Sequence, residues 1–152
     1  MLRNINPLLT PDLLHTLRAM GHGDEIALVD GNFPAEREAQ RLVRLDGIPA
    51  TDVLQAVLSV MPLDTYVDVP ASRMEIVGQP DTVPEICKEF QSIINATADS
   101  PSDLGKIERF AFYERVRTCF AVVATGERRQ YGNIILAKGV ISPDLDTAVY
   151  SK

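Results

Sequence analysis

The segment MGHGDEIALVD, Met20 to Asp30, decides the fold. Its second half, EIALVD, is a short, nearly continuous apolar run that ends on an aspartate. A strand with one solvated face alternates apolar and polar residues. A run without alternation therefore reads as a strand covered on both faces, as in a parallel sheet. Immediately upstream, LLTPDLLHTLRAMGHG has helical spacing, with Leu13, Leu14, Leu17 and Met20 on one face. Thr10 is the expected N-cap, Pro11 the first helical residue, and Asp12 suits the positive end of the helix dipole. Gly21 is the expected left-handed stop. GNFPA then breaks the strand after Asp30.

The same alternation continues downstream. RLVRLDG reads as a second strand. PATDVLQAVLSVMP reads as a capped helix, with Thr51 as N-cap and Val53, Leu54, Val57, Leu58 and Met61 facing inward. SRMEIVG is a strand, and VPEICKEFQSIINAT a helix whose stripe is Ile86, Phe90, Ile93 and Ile94. A polar loop from Ala98 to Gly105 leads into KIERF, extended, and AFYERVRTC, helical. FAVVATGE and YGNIILAKG are the last strands, joined across GERRQ closely enough to form a hairpin. Strands alternating with helices predict an α/β layered fold around a mostly parallel, mixed central sheet.

Composition fits one domain over residues 1–152, with 45% hydrophobic and 24% charged residues. A chain of this length buries roughly 70% of its unfolded surface and needs no staple. Cys87 and Cys119 both lie in apolar-periodic segments and read as buried thiols. The start has no apolar core long enough for a secretory signal, and no run approaches a membrane span. The expectation is a cytoplasmic protein with no membrane partner. A net charge of −6 argues against a nucleic-acid backbone as ligand.

Four groups are candidates for chemistry. His22 stands between Gly21 and Gly23, a frame that lets backbone approach a ligand, and imidazole exchanges a proton near neutral pH. The plainer reading is a surface-loop histidine after a helix end. Asp30 lies at the carboxyl end of an apolar strand, the edge where α/β sheets bind ligands, and a carboxylate there can accept from a sugar diol. Its alternative is a solvated aspartate opening a turn with Gly31. Arg109 and Tyr113 share a face if their helix starts early enough, and they suit a polyol. A core stripe of Phe110, Phe112 and Tyr113, with Arg109 and Arg115 solvated, explains the same residues. Tyr131, Gly132 and Asn133 open the last strand with a hydroxyl, a close-approach glycine and an amide.

No phosphate loop, serine elbow or metal-spaced His/Cys cluster is visible. The candidates suit proton transfer on a polar neutral ligand, with no cofactor and no metal.

GHGDEIALVDGNFPA, RFAFYER and TGERRQYGNIILAKGV, in this order and spacing, closely resemble the RbsD/FucU family of sugar mutarotases and pyranases. The resemblance runs from about residue 1 to 140; the tail SPDLDTAVYSK carries no motif of it. It implies a three-layer α/β/α domain that often assembles into a toroidal homodecamer, and cofactor-free interconversion of sugar forms. It implies that His22 is the proton donor, that Asp30 binds sugar, and that Tyr131, Gly132 and Asn133 form the Tyr-X-Asn segment. An arginine at position 109 and the loop NFPA match the L-fucose mutarotase branch rather than the ribose branch. A ribose-type pyranase and a non-catalytic monosaccharide carrier are the alternatives. The anomeric hydroxyl falls to Tyr131 or to a bound water. His22 and Asp30 lie at opposite ends of one strand, so a shared site needs either a sharp bend or a neighbouring subunit. The glycine-framed histidine is then expected to be a flexible arm.

Overall fold

The structure is a computed structural model that describes residues 2–141; the tail SPDLDTAVYSK lies outside the described residues. The elements run α1 (Pro11–Ala19), β1 (Glu25–Val29), α2 (Ala35–Glu38), β2 (Leu42–Leu45), α3 (Ala50–Leu58) and β3 (Ala71–Met74). They continue with α4 (Glu85–Thr97), β4 (Gly105–Ile107), α5 (Arg109–Thr118), β5 (Ala121–Thr125) and β6 (Ile134–Ala137).

β1 is the strand its sequence describes. Ile26 and Leu28 point into a core with Leu13 and Leu17 of α1, Val53, Leu54 and Val57 of α3, and Ile86, Phe90 and Ile94 of α4. Ala27 and Val29 point the other way, into a core with Phe33, Ala35, Phe112 and Val116. With period-2 side chains, two cores require apolar residues at every position. The result is three layers: α1, α3 and α4 on one face, α2 and α5 on the other.

The sheet order is β2-β5-β1-β6-β3-β4. β1 pairs parallel with β5 and antiparallel with β6, and β6 also pairs antiparallel with β3. β6 is thus the single antiparallel strand. The expected hairpin between β5 and β6 does not form, because β1 lies between them. β1 is buried from Ile26 to Val29 and needs a partner on each edge. The residues between Thr125 and Ile134 therefore cross over its carboxyl end, and this crossing places the Tyr131–Asn133 segment there.

Two caps differ from expectation. Thr10 does cap α1, its side chain accepting from the Leu13 amide. At the other end, Gly21 is not left-handed; Gly23 is, with φ of +80°. The Lys138 ammonium instead donates to the carbonyls of Leu17 and Met20, at 2.7 and 2.6 Å, and satisfies the helix end. Thr51 lies inside α3, whose N-cap position is Pro49. Pro49 makes no side-chain capping bond. The short helix α2, in the stretch read as a break, was not anticipated.

Cys87 and Cys119 are free and buried, as expected. Burial pushes their thiols up to about 11 and about 12, so both are protonated at neutral pH.

Candidate active site

At the carboxyl end of β1, the chain turns through Asp30, whose carboxylate accepts from the Asn32 amide at 2.9 Å. Asn133, at the entry to β6, grips the same residue twice. Its Oδ1 accepts from the Asp30 amide, and its Nδ2 donates to the Asp30 carboxylate, both at 2.9 Å. Asp30 is 5% exposed and Asn133 3% exposed. The solvated-turn reading of Asp30 is therefore overturned. Burial raises the Asp30 carboxyl above its ordinary value, opposed by hydrogen bonds from the Asn32, Asn133, Gly132 and Phe33 groups. Each carboxylate oxygen has one fixed donor and a lone-pair direction left for a ligand.

α5 starts at Arg109 because Glu108 caps it, its carboxylate accepting from the amides of Phe110 and Ala111. That early start puts Arg109 and Tyr113 on one face. The aromatic-stripe alternative holds for Phe112, which is fully buried, and fails for Phe110, which is exposed. Tyr113 stacks on Phe33 with ring centroids 4.9 Å apart, and the Arg109 guanidinium sits 5.8 Å from the Tyr113 ring centre. Arg109 is thus held over an aromatic wall.

Tyr131 completes the enclosure from the crossover. Its φ of +61° is left-handed, a conformation that costs a non-glycine residue about 1–2 kcal/mol. Its hydroxyl accepts from the Val77 amide at 3.4 Å. Gly132 is tightly packed. A Cβ there would meet the Glu127 Cγ at 2.8 Å and the Asp30 Cβ at 3.5 Å. Asp30, Arg109, Tyr113, Tyr131 and Asn133, five residues singled out from sequence, line one pocket of about 300 Å³. Asn32, Phe33, Met74 and Gln130 complete its lining. The volume lies at the small end for ligand pockets, and most lining side chains are polar, as a small hydroxylated molecule requires.

His22 is not in this pocket. It precedes the amino end of β1, on the opposite edge of the sheet. Its loop is tied rather than loose: the Gly21 amide donates to the Asp24 carboxylate at 2.7 Å, and the Gly23 amide to the Lys138 carbonyl at 2.8 Å. His22 Nε2 lies 3.0 Å from Asp64 Oδ1, and its ring meets the exposed Tyr66 ring edge-on at 5.3 Å. Asp64 is 3% exposed, whereas the His22 side chain is 44% exposed. The Tyr66 amide, then His22, hold the Asp64 carboxyl below its ordinary value. A carboxylate only accepts, so Nε2 donates in this contact.

The RbsD / FucU transport protein family matches residues 3–141. This chain belongs to the RbsD/FucU family. It is 41% identical to the fucose mutarotase of Streptococcus pneumoniae, solved in complex with L-fucose, over 93% of this chain and 100% of that one, with a TM-score of 0.86. FucU of Bifidobacterium longum is 42% identical, over 92% and 100%, with a TM-score of 0.87. RbsD of Bacillus subtilis, solved with D-ribose, is 19% identical over 93% and 100%, with a TM-score of 0.73; at that identity the likeness concerns the fold.

The three-layer domain with a mixed sheet is the fold of these RbsD/FucU relatives. Sequence reading missed Asp64, the partner that fixes the His22 ring. Nothing local in PLDTY marks it, since its significance comes from a contact 42 residues away. Gln130 and Met74 were also missed; Gln130 reads as turn and Met74 as strand interior. No group of three or more His, Cys, Asp or Glu among the described residues is placed to hold a metal. No helix among them is long and apolar enough to cross a membrane.

Proposed function

We propose that this protein is an L-fucose mutarotase-type isomerase, interconverting the α and β anomers of a monosaccharide by acid–base ring opening and closure. The observation that carries the reading is the pocket of Asp30, Asn133, Arg109, Tyr113 and Tyr131. It belongs to a chain 41% identical to a fucose mutarotase solved with L-fucose. In ring opening, the anomeric hydroxyl loses its proton, the bond from C1 to the ring oxygen breaks, and that oxygen gains a proton. The aldehyde rotates and closes on its other face. Asp30 and Arg109 fix hydroxyls, Asn133 holds Asp30 in place, and Tyr113 and Phe33 offer an apolar wall to the sugar's C–H face. Tyr131 takes the anomeric hydroxyl directly or through a water.

His22 supplies the proton to the ring oxygen, and its place in the chain sets a condition. β1 spans about 13 Å between its end Cα atoms, so one sugar cannot touch both edges. The histidine therefore serves the pocket of a neighbouring copy, in a homo-oligomer that the family resemblance makes a decameric ring. Supporting this are the half-exposed His22 side chain and the exposed Tyr66 ring packed against it. Asp64 positions the ring. A cytoplasmic location fits a reaction on free monosaccharide.

Saturation-transfer NMR on equilibrated L-fucose tests the reading. Catalytic amounts of protein should speed exchange between anomers well beyond the spontaneous rate. Unchanged exchange across a panel of aldoses, with binding retained, would make it a carrier instead. Selective acceleration of pyranose–furanose exchange in ribose would make it a pyranase.

A further inference from the structure

A second pocket of about 300 Å³ lies beside β3, and its lining has a different chemistry. Arg73 of β3 forms part of it and is 4% exposed. Its guanidinium donates to two backbone carbonyls, Met74 at 3.2 Å and Pro80 at 3.4 Å, and among the described residues no carboxylate lies within 4.0 Å of it. Two of its five N–H groups are thereby used. A buried charge is normally paired, because removing it from water costs several kcal/mol. Lys88 of α4 and Lys106 of β4 line the same pocket, over an apolar lining of Val83, Cys87 and Leu104.

Both lysines have surface partners. Lys88 pairs with Glu85 at 2.8 Å, and Lys106 with Asp81 at 2.8 Å and Glu75 at 3.9 Å. Glu85 and Asp81 are exposed, and such pairs are worth about 0–1 kcal/mol, so either ammonium can turn inward at little cost. Among the described residues Arg73 has no carboxylate within 4.0 Å, and only the exposed Asp81 acts on it from further away. We propose that this pocket binds a small oxyanion, a phosphate or phosphate monoester, held by the Arg73 fork with Lys88 and Lys106 closing over it. Arginine presents planar paired donors to two phosphate oxygens, and the lysines supply charge. The site stands behind the sugar pocket: Met74, next to Arg73, lines the latter, and the Cys87 thiol donates to the Tyr131 carbonyl at 3.7 Å.

Calorimetric titration of the full chain with inorganic phosphate, a hexose monophosphate and acetate, at constant ionic strength, tests this. One saturable phosphate site per chain is expected. Lys106→Gln should weaken it about tenfold. Arg73→Lys, which keeps the charge but loses the fork, should weaken it further. Tighter binding of the monophosphate than of inorganic phosphate identifies an ester ligand; the reverse identifies the free anion. Lys106→Gln changes an exposed side chain, so its effect is readable even if Arg73→Lys unfolds. No saturable phosphate binding, binding indifferent to Lys106→Gln, or acetate binding as tightly as phosphate would overturn the proposal. So would loss of assembly by Arg73→Lys in native mass spectrometry with no phosphate bound to the parent chain. That outcome would assign Arg73 to a carboxylate across a subunit contact.

Discussion

The two ends of β1 carry opposite kinds of chemistry. At the carboxyl end, Asp30 and Asn133 are buried and locked by three hydrogen bonds near 2.9 Å. At the amino end, one half-exposed histidine rests on a buried carboxylate through one contact of 3.0 Å. The first arrangement lines a cavity with polar side chains. The second is a half-exposed imidazole fixed on one side by Asp64, the group proposed above as the acid. If the two ends serve one sugar, as proposed, a whole site forms only by association of two chains.

The largest expected effect is at the receptor end. Asp30→Ala leaves the buried Asn133 amide without its acceptor, at about 1–3 kcal/mol, and frees the Asn32 N–H at the surface. Both sugar binding by calorimetry and anomer exchange by NMR should be lost, with a lowered melting temperature. At the acid end, His22→Ala should lose about 10²–10⁴-fold in exchange rate while keeping sugar affinity and fold. If it lost affinity as well, the two ends would not have separate roles. Asp64→Asn keeps the shape of the support but not its charge. It should cost about tenfold in rate with KM unchanged and shift the acid limb of the pH–rate profile, which a purely structural role would leave in place.

The smallest effect is expected away from both ends. Arg129, first through side-chain hydrogen bonds, holds the Glu127 carboxyl down to about 2, against an ordinary 4.5. A lowered carboxylate contributes stability that is fully present above 4.5 and lost as pH falls from there toward 2. Urea unfolding should show Glu127→Gln losing less stability than the parent chain across that window, with activity at neutral pH unchanged.

How much of this is legible in the sequence follows the range of each interaction. EIALVD announces a doubly covered strand because every position in it is apolar. Arg109 and Tyr113 announce a shared face because four residues make one helical turn. The position of β6 does not show, because strand order is decided across the sheet; two strands close in sequence were separated by β1. The cap of α3 differs too: Thr51 looks right locally, but Pro49, two residues earlier, takes the N-cap position. Individual polar residues of the pocket could be named, but not their convergence, which the crossover from β5 to β6 creates. The glycines around His22 suggested mobility, whereas the loop is pinned by Asp24, Lys138 and Asp64.

Subunit complementation tests the central claim, that one site needs both ends of β1 from two chains. His22→Ala and Asp30→Ala chains are each expected to be inactive alone. Unfolded together in equal amounts and reassembled, they should recover activity at about a quarter of the sites, one half times one half, because each intact pocket must meet an intact histidine from its neighbour. No recovery in mixed assemblies that native mass spectrometry shows to contain both chains would contradict it.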